Sequence, residues 1–397
     1  MIGTKVIISF DTEDFVTPES DDAAKRLADI LTKHKVRGCF CVVGDKARAL
    51  VARGRRDVIA ALRQHEIHYH TNTHGYWPRT AFFLEESEWD AGLAKLMASE
   101  VRGLDDIEHL FGQRPTAYAK PDSHWAARQI YGLRLLGLKL FASSPFEMPD
   151  STPVWYMNSL NVRYHMAFER YYDKPSPFEA MKADFLALLA KRRGTHAPIL
   201  IGTHPCMWVC KTFYDIHNVK VRGQLPPKEE WQPAPLRPRK EAERLFRFFD
   251  AFVGFLKRRR DVELTTYREL IEAFEQPEGE WLTASQVARL AAGIQSQFTC
   301  QSLDGRWYSP AEVFAMLTWA LSRGLEAGTR TVKSHSCATV RFGSAPGKHG
   351  LPGRIPVRRP IGPLAAPAPL TSDILLTGAN PNLPQVRNLR DVVVKAC

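Results

Sequence analysis

Long apolar runs are missing from this chain of 397 residues. None reaches the roughly 18 consecutive apolar residues that a membrane-spanning helix needs, so no transmembrane segment is expected. The opening residues, MIGTKVIISFDTEDF, have no basic start, long apolar stretch or small-residue cleavage site, and a cytoplasmic location is expected. Cysteine is scarce and scattered, with seven residues at 39, 41, 206, 210, 300, 337 and 397. That odd set excludes a small disulfide scaffold, and no second pair lies near Cys206 and Cys210 to complete a zinc tetrahedron. Reduced, mostly buried thiols are expected, with Cys39 and Cys41 on one face if they lie on a strand.

Composition is ordinary, at 44% hydrophobic and 24% charged, which excludes a wholly disordered or collagen-like chain. The length suggests two or three domains at roughly 100–200 residues each. A net charge of +11 invites a nucleic-acid reading, but residues 328–397 hold ten Lys/Arg against Asp373 and Asp391, which is +8 of the total. The excess therefore belongs to a tail. Nucleic-acid binding is expected only as non-specific attraction through it, and oligomeric state is not legible.

Strands and helices alternate over the first two thirds. Lys5–Phe10 is a short β-branched run that stops at Asp11-Thr-Glu-Asp14, and residues 21–35 carry apolar residues at helical spacing. A second buried strand is expected over Gly38–Val43, followed by one helix to about Gln64. Helices are expected at 89–111, 124–137 and 240–258, with strands at Leu138–Ser143, Pro198–Gly202 and Val262–Thr265. This alternation points to an α/β domain with a mainly parallel sheet, possible as a barrel. Gln276–Glu280 reads as a linker. We therefore divide the chain into residues 1–276, a small helical module at 277–327, with Thr283 or Ser285 and Ser309-Pro310 starting its helices, and a Gly/Pro/Arg-rich irregular basic tail at 328–397.

Polar groups gather where parallel strands end, the usual place for a site in such folds. Asp11, Glu13 and Asp14 follow the first strand, His70 and His74 lie in His65-Glu-Ile-His-Tyr-His-Thr-Asn-Thr-His74, and His204 follows 198–202. Two histidines four apart, on a helical turn or a compact loop, can meet on one cation, and a carboxylate completes a two-His, one-carboxylate set with open positions. Such an ion polarises a carbonyl and acidifies water, a carboxylate can take the water's proton, and a separate histidine can protonate a leaving group. Taken singly, each feature has a plainer reading as surface histidines, a capped turn or a core histidine.

Together and in order, these residues resemble the NodB-type polysaccharide deacetylases, over roughly residues 1–275. His65–His74 is similar to that family's HEIxxHTxTH motif, Leu31–Gly44 to its LxxHxVxATFFxxG passage, Phe10–Asp14 to its first acidic motif, and Leu200-Ile-Gly-Thr-His204-Pro to its late histidine motif. The resemblance implies a distorted (β/α) barrel and a divalent metal, zinc or else cobalt or nickel. It implies metal ligands His70 and His74 with Glu13 or Asp14, Glu13 keeping the two-residue spacing from Asp11. Asp11 would be the base and His204 the acid. Tyr118-Ala-Lys-Pro-Asp122 occupies the family's Arg-x-Pro position but offers Lys120, which would hold Asp11 as a point charge without arginine's bidentate fork. Trp77, Pro121 and Trp125 would line the substrate cleft, core packing being the alternative for the tryptophans, Trp155 and Trp208 included.

The implied activity is hydrolysis of a carbon–nitrogen amide bond, foremost deacetylation of an N-acetylated sugar or glycan. A hydrolase of formyl or cyclic small-molecule amides is the alternative enzyme. A degenerate carbohydrate-binding protein is the alternative from another class, suggested by Lys120.

Overall fold

The computed structural model of the protein describes residues 3–74, 80–121, 124–144, 150–156, 159–195, 197–222, 226–274, 281–304, 306–308, 310, 313, 316 and 331–333. In chain order, its first half runs β1 (Thr4–Thr12), α1 (Glu19–Lys33), β2 (Cys39–Val42), α2 (Gly44–Ala52), α3 (Arg56–Leu62), β3 (Glu66–Tyr69), α4 (Thr80–Glu86), α5 (Trp89–Phe111), β4 (Ala117–Ala119), α6 (Ala127–Leu135) and β5 (Leu140–Ala142). There follow β6 (Val154–Tyr156), β7 (Ser159–Asn161), β8 (Met166–Ala167), α7 (Pro177–Arg192), β9 (Ile199–Thr203), α8 (Tyr214–Arg222), α9 (Arg239–Lys257), β10 (Val262–Leu264) and α10 (Tyr267–Ala273).

The ten strands form one sheet in the order β6-β7-β5-β4-β3-β2-β1-β9-β8, with β10 against the start of β1. Every pairing is parallel except β6 with β7. With the helices between them, these strands make a curled, distorted (β/α) barrel; among the described residues, β6 and β8 at its two ends are not joined. No helix among those residues is long and apolar enough to cross a membrane.

Alternation along β1 assigns its two faces. Val6, Ile8 and Phe10 join the main apolar core with α1 and α9, whose Leu27, Leu31, Phe249 and Phe252 are fully buried. Ile7 points into the barrel instead, among Cys39, Cys41, Ala117, Ala119, Leu140 and Leu200, with Tyr267 and Leu270 of α10 closing that cluster. The described cysteines are free thiols and Cys39, Cys41, Cys206 and Cys210 are buried.

Two expectations change. The helix expected to run to Gln64 is two, α2 and α3, because Gly54 takes φ of 66° in the left-handed region and ends the first. The segment His65–Tyr69, for which no element was expected, contains the strand β3. Further on, Thr283 caps α11 (Ala284–Ser296) through a reciprocal pair with Gln286, and Pro310, Val313 and Met316 are helical. Short strands accompany this helix: β11 (Trp281–Thr283) pairs with β14 (Thr331–Lys333), and β12 (Gln301–Leu303) with β13 (Arg306–Tyr308). The rest of the 328–397 tail lies outside the described residues.

Candidate active site

Inward-facing polar residues take over where the strands end. Ser9 and Asp11 lie on the inner face of β1, His70 directly follows β3, and His204 directly follows β9. Parallel pairing brings these ends together, because β1 is hydrogen-bonded to β2 and β9, and β2 to β3.

Glu13, His70 and His74 converge, each buried, with their ligand atoms within 4.8 Å of one another. His70 Nε2 lies 3.3 Å and His74 Nε2 2.9 Å from Glu13 Oε2, and the two rings stack at 5.0 Å. His70 Nδ1 donates to the Ala119 carbonyl at 2.7 Å, which orients the ring with Nε2 toward Glu13. Tyr214 Oη pairs with His74 Nδ1 at 3.0 Å. Burial pushes the Glu13 carboxyl up, but the His74 charge and hydrogen bonds from both imidazoles hold it well below the usual carboxylate range. Burial pulls His74 down, and Glu13 overrides it, raising the imidazole.

The loop joining the two histidines is clamped. Thr71 adopts φ of 69°, rare for a β-branched residue, and this bend returns His74 to His70's side. Gly44 and Asp45 at the start of α2 donate backbone N–H groups to the Thr71 and Asn72 carbonyls, both at 3.0 Å. Buried Glu100 accepts from Asn72 N at 2.9 Å and from Tyr69 Oη at 2.6 Å. Gly103 of α5 completes the clamp: a Cβ there would sit 2.9 Å from Asn72 Cα.

Asp11 and His204 form a second group. Tyr164 Oη donates to Asp11 Oδ1 at 3.0 Å, and His204 Nε2 is 3.6 Å from Asp11 Oδ2. Behind His204, Glu169 Oε1 accepts from the His204 backbone N–H at 2.7 Å, from Nδ1 at 3.2 Å and from Thr203 Oγ1 at 2.8 Å. Burial pulls His204 down, but the Glu169 hydrogen bond and the charges of Glu13, Glu169 and Asp11 raise its pKa to about 10. The imidazole therefore holds its proton at neutral pH, with Nε2 as the donor facing Asp11.

Asp14 is engaged in its own loop: its Oδ1 accepts from Val16 N and Thr17 N, both at 2.9 Å, while its carbonyl accepts from buried Lys46. Lys120 is buried just past β4, and Pro121 follows it half-buried. Trp125 packs against the main apolar core, and Trp208 lies fully inside it, donating to Thr203 Oγ1 at 2.9 Å. Trp77 lies outside the described residues, as does the side chain of Trp155. Sequence reasoning missed Glu169, Tyr164 and Tyr214. They reach the site through the pairing of β8 with β9 and the placement of α8, which no local motif announces.

The sequence profile of the family described as polysaccharide deacetylase matches residues 2–141. Over those residues the chain is similar to the polysaccharide deacetylase family. That match supports a hydrolase of the deacetylase type, acting on carbon–nitrogen bonds. No curated protein matches it. Among solved structures, similar chains include a probable polysaccharide deacetylase from Pseudomonas aeruginosa PAO1, at 11% identity and a TM-score of 0.44, covering 68% of this chain and 90% of that one. The peptidoglycan deacetylase PdaC from Bacillus subtilis follows at 14% and 0.36, covering 75% and 98%. A family 4 acetyl xylan esterase from Clostridium thermocellum, solved with a cobalt ion, stands at 16% and 0.36, covering 69% and 93%.

Proposed function

We propose that this protein is a metal-dependent amide hydrolase of the polysaccharide deacetylase type whose substrate is an N-acetylated sugar or glycan, with the chemistry carried by residues 1–276. The convergence of Glu13, His70 and His74 beside the Asp11–His204 pair supports this reading best. The donor set fits a divalent ion. Glu13 Oε1 is buried with no hydrogen-bond partner, and each imidazole is oriented through its other nitrogen. Two imidazoles and a carboxylate suit zinc, and cobalt or nickel would be accepted by the same donors. A divalent ion held there would supply Lewis acidity toward the amide carbonyl and toward water.

The chain's own groups divide the proton transfers. Asp11, held through Oδ1, takes the attacking water's proton on Oδ2. His204, kept protonated by Glu169, gives its Nε2 proton to the departing amine. Lys120, at the end of β4, contributes positive charge near the base, and Pro121 and Trp125 form part of the substrate cleft. Acetate release from N-acetylglucosamine oligomers tests the reading. His74→Ala should lose metal and turnover together, whereas His204→Ala should keep its metal and lose roughly 10²- to 10⁴-fold in kcat. Turnover confined to formyl or cyclic amides would transfer the same machinery to another substrate class. A His74→Ala protein as active as its parent would refute the assignment.

A further inference from the structure

The base in this reading needs a partner that fixes its carboxylate, and a lysine stands where the resembled family carries its arginine. The structure supplies a donor from a different part of the chain. Tyr164, in the connection between β7 and β8, extends its ring across β9 to the inner face of β1. Its Oη lies 3.0 Å from Asp11 Oδ1, 3.0 Å from Ser9 Oγ and 3.5 Å from Tyr267 Oη. Ser9 and Asp11 are two apart on one strand and so share the face that the phenol meets.

The ring's path depends on Gly202. A Cβ there would lie 3.3 Å from Tyr164 Cδ2 and 3.4 Å from Cε2 and Cγ, so even a methyl group would press on the ring. The glycine of Ile201-Gly-Thr-His204 thus makes room for the phenol two residues before the acid histidine.

We propose that Tyr164 is the positioning residue for Asp11, holding one carboxylate oxygen so that the other faces His204 and the reacting water. The inference rests on the reading of Asp11 as the base. A phenol has one proton, and a carboxylate is the stronger acceptor, so that proton goes to Oδ1 and the Ser9 hydroxyl is left to donate into Oη. Burial and the neighbouring Asp11 charge push the phenol well above its ordinary range, so it remains a donor throughout the working pH range. Unlike a guanidinium, the phenol orients the base without adding a positive charge beside it.

Tyr164→Phe removes the donor and keeps the ring. Steady-state kinetics, metal content and thermal midpoint are measured for the parent, Tyr164→Phe, Asp11→Asn and the double variant on an N-acetylglucosamine oligomer. Losing a hydrogen bond to a charged acceptor should lower kcat roughly 10- to 100-fold. KM should stay within about twofold and metal content should match the parent, since the lost contact concerns the reacting step. In the Asp11→Asn background the same change should have no further effect on kcat, because the group it positions is gone. Gly202→Ala gives a second route, lowering kcat in the parent and not in the Tyr164→Phe background. An unchanged kcat, additive losses in the double variant, or parallel loss of metal would each overturn the inference while leaving the parent's activity intact. A parent without turnover on any amide would remove the inference together with the reading beneath it.

Discussion

Replacing Glu169 with glutamine preserves the side chain's length and its Oε1 acceptor but takes away the charge behind His204. In the parent, Oε1 receives both the backbone N–H and Nδ1 of that histidine, and burial is outweighed so that the imidazole titrates at about 10. A hydrogen bond to a charged partner contributes about 1.5–3 kcal/mol and one to a neutral partner about 0.5–1.5, so the change removes about 1–1.5 kcal/mol, or roughly one pH unit. His204 acts as an acid only while protonated, and the basic limb of kcat/KM against pH reports the loss of that proton. Glu169→Gln should therefore move this limb to lower pH by roughly one unit. Stability follows the same sign. A raised pKa contributes stability that is complete below the ordinary histidine value and disappears as pH rises through about 10, so the urea-midpoint deficit of Glu169→Gln should shrink across that window. A basic limb that stays in place, or moves upward, would refute the coupling between these two residues.

His65 gives a prediction of opposite sign. Its Nδ1 accepts from Gly38 N at 3.3 Å and its Nε2 donates to the Ala28 carbonyl at 3.0 Å, so the neutral ring is fully used, and burial lowers its pKa to about 4. Stability should be complete above the ordinary histidine value and fall by up to ~3 kcal/mol as pH drops toward 4. His65→Gln should flatten that slope in urea titrations, and an equally steep loss in the variant would contradict the assignment. Gly103→Ala acts at a distance from the chemistry, since the new methyl would meet Asn72 Cα at 2.9 Å and Tyr69 Oη at 2.6 Å. It should cost about 1–3 kcal/mol in thermal or urea unfolding and weaken zinc binding measured by equilibrium dialysis, because Asn72 lies in the loop between the two histidines. A variant matching the parent in both would show that the clamp is unimportant.

Much of the barrel was legible because its outer layer follows simple periodicity. The runs at β1 and β9 are β-branched and apolar, that at β2 is apolar throughout, and α5 and α9 carry apolar stripes that need no tertiary information. β3 was not recognised, and its chemistry explains why. Glu66 and His68 point inward beside Cys39, so a buried strand reads as a polar turn. The break between α2 and α3 did carry a signal, glycine at position 54 just past the last helical turn.

For the candidate site, the residues expected from compact motifs, Asp11, Glu13, His70, His74 and His204, are brought together by the fold. The supporting groups were not, since Glu169 reaches His204 across 35 residues, Tyr214 reaches His74 across 140 and Tyr164 reaches Asp11 across 153. Spacing alone likewise does not show that Asp14 serves the Val16 and Thr17 amides while Glu13 meets both histidines. Sequence names groups able to do chemistry, while tertiary pairing selects the neighbours that tune them.

The most direct measurement is the divalent metal content of the purified full-length chain by elemental analysis, parent beside the His70→Ala/His74→Ala double variant. A two-histidine, one-carboxylate site predicts about one ion per chain in the parent and none in the double variant. No bound ion after incubation with zinc, cobalt or nickel, or equal content in the two proteins, would contradict the account.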